Sequence, residues 1–229
     1  MSMMQQAQGR RTPLSTSQPK DEQPLVMIVD DDAAVREALH ELILSAGMQP
    51  VCFGSTRELL DAGLLDRPGC LILDVRMPGA SGLDLQLQLA RRGNPKPIIF
   101  LTGHGDIPMT VQAMKSGAVD FLTKPVRDQT LLDAVTAAIA RDVAQRATAG
   151  VVKRTVERLE TLTPRERDVL AGVAQGRLNK QIAYDLGISE VTVKLHRGNV
   201  MRKMEAASVA ELIRAWESLP ANLRAARTA

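Results

Sequence analysis

The sequence predicts two domains of different class, an α/β domain wound on a parallel sheet followed by an all-α domain of four helices. Three observations predict this. From Leu25 to about Ala149 short β-like apolar runs alternate with stretches of helical period, whereas from Thr163 onward the patterned stretches are all helical. Residues 25–150 carry 12 basic and 15 acidic side chains, a net of −3, while residues 151–229 carry 14 and 9, a net of +5. With 229 residues, 45% of them hydrophobic, the chain is long enough to bury two small cores.

The first strand is LVMIV (25–29), and AAVREALHELILSA follows it. There Leu39, Leu42, Ile43 and Ala46 recur at i, i+3, i+4 and i+7, the stripe of an amphipathic helix, and Gly47 marks its C-cap. MQPVCF (48–53) is the second strand, after which Ser55 and Glu58 form a capping box that opens the helix STRELLDAGLL. CLILDV (70–75), PIIFL (97–101) and DFL (120–122) are the remaining strands. They alternate with the helices GLDLQLQLARR, DIPMTVQAMKS and RDQTLLDAVTAAIARDV. Five such βα units make a doubly wound parallel sheet, most economically of flavodoxin-like order, over residues 25–140. Residues 141–162 read as a helical linker with a possible break at Gly150. Over 163–219, Thr163, Pro164 and Glu166 open a helix that Gly176 ends, and NKQIAYDL, SEVTVKLHRGNVMRKM and SVAELIRAWESL follow. The pair joined across LGIS has the form of a helix-turn-helix. Residues 1–24 and 220–229 read as disordered tails.

Several function classes are disfavoured at this point. No stretch approaches 18 consecutive apolar residues, so no membrane span is expected. The first two dozen residues lack the apolar core of a signal peptide. Cys52 and Cys70 lie far apart inside apolar runs, as buried hydrophobes of a reducing compartment, so a cytoplasmic location is expected. Aromatic residues are only 2%, too few for a base-stacking binder of RNA or single strands, whereas the basic second domain suits a double-stranded polyanion.

In an open α/β sheet, ligands bind outside the carboxyl ends of the strands. Asp30 and Asp31 end the first strand, Asp74 the third, Thr102 follows the fourth and Lys124 the fifth. Three converging carboxylates repel one another unless a hard cation sits among them, and Mg²⁺ takes such a set of carboxylates, carbonyls and waters. Asp32 is assigned to a simpler role, the N-cap of the first helix.

The stretches IVDDD, LILDVRMPGASG, LTGHGD and DFLTKP, in this order and spacing, resemble a response-regulator receiver domain. The resemblance implies that Asp74 accepts a phosphoryl group. It further implies that Asp31, Asp74 and the Arg76 carbonyl ligate Mg²⁺, with Asp30 acting through water. Thr102 and Lys124 would hold the phosphoryl oxygens, Phe121 would be the switch aromatic, and the Lys124–Pro125 peptide would be cis. Phe121 stands where some receivers carry Tyr, so a hydroxyl hydrogen bond is absent there. LTPRERDVLAGVAQGRLNKQIAYDLGISEVTVKLHRGNVMRKMEA resembles the LuxR-type helix-turn-helix of the NarL/FixJ family, and HRGNVMRKM points to its FixJ branch. Together the resemblances cover about residues 25–219. They imply a two-component transcription factor, phosphorylated by a histidine kinase, that dimerises, binds promoter DNA and meets RNA polymerase. Such a chain is a phosphoryl acceptor with only self-directed phosphotransfer and autodephosphorylation, not an enzyme acting on other molecules.

The residues of the second domain agree with that reading. Val193, His196, Val200 and Met204 share one helical face, which is core. Lys194, Leu195, Arg197, Gly198, Met201 and Arg202 spread over the remainder, which can enter a major groove. Asn179 and Lys180 stand at a helix start, where free N–H groups favour a phosphate, and Thr192 can donate to the DNA backbone. Some relatives carry Lys where Gly198 stands, so recognition here rests on its neighbours. Trp216 anchors the last helix to its core or to a dimer face. Two other readings compete. Phosphohydrolases of the haloacid-dehalogenase type also use Asp, Mg²⁺, Thr and Lys, and Asp30 to Asp32 contains a DxD. They place the nucleophile on strand one, however, and need further acids after strand four, whose loop offers only Asp106; there is also no cap insertion. A pure protein-interaction adaptor is the third reading, which retention on double-stranded DNA would separate.

Overall fold

The structure is a computed structural model and describes residues 23–103 and 105–225. It divides into two compact units, 1–143 and 144–229. In the first unit the strands are β1 (Leu25–Val29), β2 (Gln49–Phe53), β3 (Gly69–Leu73), β4 (Ile98–Thr102) and β5 (Asp120–Thr123). They alternate with helices α1 (Ala33–Ser45), α2 (Thr56–Asp61), α3 (Gly82–Arg91) and α4 (Ile107–Lys115), and α5 (Asp128–Glu160) follows, its residues up to 143 belonging to this unit. The sheet is wholly parallel in the order β2-β1-β3-β4-β5, the flavodoxin-like order expected.

Period two along the strands divides the core between the two faces of the sheet. Met27, Val29, Leu71, Leu73 and Phe100 point to one side, where Leu59, Leu85, Leu89 and Ala113 of α2, α3 and α4 cover them. Val26, Ile28, Cys70, Ile72, Ile99 and Leu101 point to the other, against Leu39 and Ile43 of α1 and Leu131, Val135 and Ala138 of α5. Of the stripe read in α1, Leu39 and Ile43 are buried and Leu42 half-buried, but Ala46 is exposed because the helix ends there. Gly47 follows in the left-handed region, at φ 75°. Cys70 is buried and Cys52 half-buried. Burial pushes the Cys70 thiol up to about 12, Lys96 acting against it and Asp142 with it.

Two local expectations need correction. Ser55 does cap α2 through the Glu58 N–H, but the Glu58 carboxylate accepts from Gly54 N–H at 2.7 Å, one residue before the cap. Gly150 does not break the linker, because α5 runs through it without interruption to Glu160.

The second unit contains α6 (Pro164–Ala174), α7 (Asn179–Leu186), α8 (Glu190–Lys203), α9 (Val209–Ser218) and α10 (Ala221–Ala225). Its core gathers Val169, Leu170, Val173, Ile182, Val193, Val200, Met204 and Leu212. Leu159 and Leu162, read as linker, are buried in this core as well. Trp216 is half-buried against it. The tail expected over 220–229 begins with α10, whose Leu223 packs on the same core, so four helices become five. Residues 226–229 and 1–22 lie outside the described residues.

Thr163 and Glu166 close the expected capping box on α6. Glu166 is also almost fully buried and accepts from Lys203 Nζ of α8 at 2.6 Å. Burial pushes the Glu166 carboxyl up, but the bonds from Lys203 and Thr163 outweigh it and hold the group below its ordinary value. Glu166→Gln should therefore destabilise the second unit by about 2 kcal/mol near pH 7, read by fluorescence of the single Trp216 during urea unfolding. A depressed folded pKa contributes stability above the unfolded value, so the difference should shrink as pH falls below about 4.5. A difference that stays constant to pH 3 would contradict this assignment.

Candidate functional site

The carboxyl ends of β1, β3, β4 and β5 open on one edge of the sheet. Because the strands are parallel and in register, the residues that follow them arrive together. Asp30 is 2% exposed, Asp74 8% and Thr102 1%. Lys124 Nζ donates to Asp30 Oδ2 at 2.5 Å and to Asp74 Oδ2 at 3.2 Å. Each carboxylate turns its other oxygen to a backbone N–H, Asp30 Oδ1 to that of Asp32 at 3.0 Å and Asp74 Oδ1 to that of Arg76 at 3.2 Å. Asp31 is exposed, and it can bring a carboxylate oxygen within 4.8 Å of one from each of the other two. Burial lowers the pKa of the Lys124 ammonium, but the hydrogen bond and charge of Asp30, followed by those of Asp74, outweigh it and raise the pKa overall. The site is thus one ammonium between two nearly buried acids, with a third acid close to both.

Local structure aims these groups. Asp32 caps α1, accepting from Ala34 N–H at 2.9 Å, which removes it from the acidic cluster as expected. Arg36, one turn into α1, donates to the Asp30 carbonyl at 2.7 Å and holds the end of β1. The Lys124–Pro125 peptide is cis, and the Lys124 N–H donates to the Thr102 carbonyl at 2.9 Å. Phe121 is half-buried, its ring 5.9 Å from that of Phe100.

Three supporting residues were not singled out from the sequence. Arg36 is one. A Cβ on Gly82, the first residue of α3, would stand 2.3 Å from the Asp74 carbonyl oxygen, so only glycine lets α3 start there. A Cβ on Gly105 would stand 2.8 Å from the Phe121 ring. Gly82 and Gly105 lie inside the quoted PGASG and LTGHGD stretches, which is the signal that could have found them.

In the second unit α8 buries Val193, Val200 and Met204 and half-buries His196, whose Nδ1 is enclosed without a hydrogen-bond partner among the described residues. Lys194, Leu195, Gly198 and Arg202 are exposed, as the groove-facing reading requires. Met201 is not: it packs on the core. Arg197 donates to Asn179 Oδ1 at 2.8 Å, so this pair ties α8 to the start of α7 rather than standing free. Thr192 shares its hydroxyl with Ser189 Oγ at 2.8 Å, while Lys180 is exposed. Leu178 occupies the N-cap of α7 and offers no side-chain oxygen, so the first N–H groups of that helix have no side-chain cap there.

Comparison with known proteins is consistent with both units. Residues 26–136 match the response regulator receiver domain family, and residues 160–216 match the bacterial regulatory proteins of the luxR family. Nodulation protein W of Bradyrhizobium diazoefficiens is 52% identical over 212 residues, 93% of this chain and 91% of that protein. The transcriptional regulatory protein FixJ of Azorhizobium caulinodans is 48% identical over 190 residues, 82% of this chain and 90% of that protein. Among solved structures, the response regulator StyR is similar with a TM-score of 0.75 at 45% identity, covering 85% of this chain and 98% of its own. Among the described residues no helix is long and apolar enough to cross a membrane.

The ammonium between Asp30 and Asp74 should be a measurable support. Lys124→Gln should lower the unfolding free energy of the first unit by about 1–2 kcal/mol at pH 7, read in calorimetry or urea titration. Because the folded pKa is raised, the contribution is complete below the unfolded value near 10.5 and disappears as pH rises through the folded one. Equal stability of the two proteins at pH 7 would show that the pair does not support the fold.

Proposed function

The chain belongs to the two-component response regulators of the FixJ and NodW type, transcription regulators that join a receiver domain to a LuxR-type DNA-binding domain, and on that premise we propose that it is switched by phosphorylation of Asp74. The observation that carries this reading is the Lys124 ammonium bridging Asp74 and Asp30 beside the buried Thr102. The phosphohydrolase alternative falls with the family, and the loop after β4 offers only Asp106 to serve it.

In the proposed reaction, an Asp74 carboxylate oxygen attacks the phosphorus of a phosphohistidine on a sensor kinase. The O–P bond forms as the P–N bond breaks, and the imidazole leaves with its electron pair. Lys124 moves from its carboxylate partners to the phosphoryl oxygens and neutralises their charge, and the Thr102 hydroxyl donates to them. Asp30, Asp31, Asp74 and the Arg76 carbonyl would hold Mg²⁺, a donor set of hard oxygens that suits it. When bound, that ion supplies positive charge to the transferring group. Water later hydrolyses the acyl phosphate, so the only turnover is the loss of the chain's own phosphoryl group.

An exposed stripe on α4 supports the proposed output. Ile107, Val111 and Met114 are exposed at spacings of four and three, an apolar stripe on one face of that helix. Drawing Thr102 toward a phosphoryl group frees space for Phe121 to turn inward and reshapes the surface of α4 and β5. Two copies then pair through it and present two α8 helices to half-sites about one DNA turn, roughly 34 Å, apart. The dimer binds promoter DNA and meets RNA polymerase in the cytoplasm. Lys194, Leu195 and Arg202 face the bases. Lys180 and the uncapped start of α7 take a phosphate, Arg197 and Asn179 brace the two helices, and Thr192 lies beside the backbone.

Acetyl phosphate with Mg²⁺ should label the chain on one carboxylate, chelation should stop the labelling, and Asp74→Asn should abolish it. Undiminished, hydroxylamine-sensitive label in Asp74→Asn would remove Asp74 from its role. Phosphorylation should shift the chain from monomer to dimer in sedimentation and raise DNA affinity. Lys180→Ala should weaken all sequences alike and lower the salt slope by about one unit. Unchanged association state and unchanged DNA affinity would refute the coupling.

A further inference from the structure

Helix α8 carries two kinds of apolar side chain. Val193 and Val200 are fully buried in the core that α8 shares with α6 and α7. Val191 is 75% exposed and Leu195 64% exposed, one helical turn apart. With Gly198 and Arg202 they form a stripe at offsets of 4, 7 and 11, opposite the buried face. Arg202 closes the stripe at its C-terminal end and the exposed Lys194 stands beside it, so the outer face of the helix has an apolar start with cations at its end and its side. A Cβ added at Gly198 would meet nothing within 4 Å, which leaves the stripe recessed one turn beyond Leu195.

Neither phosphate nor sugar recognises an apolar ridge, and polar base edges are not read by one. The major groove offers a single apolar group, the 5-methyl of thymine, beside the O4 acceptor. We propose that Val191 and Leu195 are thymine readers: their side chains close over thymine methyl groups in each half-site, while Lys194 and Arg202 hold neighbouring polar or phosphate oxygens. The missing side chain at Gly198 lets the edge of the duplex approach the ridge. This rests on the reading of α8 as the DNA-facing helix and adds the base it selects.

The test starts from duplexes enriched out of a randomised library by the full chain treated with acetyl phosphate and Mg²⁺. Each thymine of the enriched site is then replaced by deoxyuridine, which removes the methyl group alone. The wild-type chain should lose about fourfold in affinity at each thymine that is read, the equivalent of about 0.8 kcal/mol for one buried carbon. The double variant Val191→Ala, Leu195→Ala should bind thymine and uracil duplexes alike. Both side chains lie on the surface, so its melting should match that of the wild type. Uracil at every thymine with no change in wild-type affinity overturns the inference, as does an undiminished uracil effect in the double variant. Enrichment of no duplex at all overturns the DNA-facing reading of α8 itself.

Discussion

The first unit is organised around one electrostatic constraint: two nearly buried carboxylates, Asp30 and Asp74, must be kept beside each other. Like charges in a low-dielectric edge of a sheet are costly, and the Lys124 ammonium offsets that cost by bonding to both. The strand order places β1 and β3 side by side and so fixes the distance between the two acids. Everything near the site serves the same arrangement. Arg36 holds the end of β1, Gly82 lets α3 start under Asp74, and the backbone bond from Lys124 to Thr102 ties β5 to β4. A resting site held by its own cation is well suited to respond when a more negative group arrives, because the same ammonium has somewhere stronger to go.

The second unit repeats the theme with a different purpose. Glu166 caps α6 and, in the same carboxylate, receives Lys203 from the end of α8. Arg197 and Asn179 tie the middle of α8 to the start of α7. These polar links, around a core of Val169, Val193 and Val200, hold α8 from two flanks and leave a third face to solvent. A helix held in this way can present side chains at fixed positions, which is what reading base edges demands. Charge follows the division of labour, acidic around the metal-type site and basic around α8.

What the sequence by itself determined is what depends on near neighbours. Strand and helix periods, the Asp32 and Thr163 caps, Gly47 beyond its helix, and the acids, hydroxyl and ammonium at strand ends were all legible. Each rests on spacing or on hydrogen bonds within about one turn. Only the tertiary structure decided that the Lys124 ammonium rests between Asp30 and Asp74, reaching Asp30 across 94 residues. It also withdrew Arg197 from the free groove face by pairing it with a residue 18 positions away, and buried Met201. It carried Leu159 and Leu162 from a linker into a core, and added α10 to it. The physical reason is common to all of these. Periodicity places a side chain on a face of its own element, but which atoms lie within a few ångströms of it is settled by close packing among elements distant in sequence.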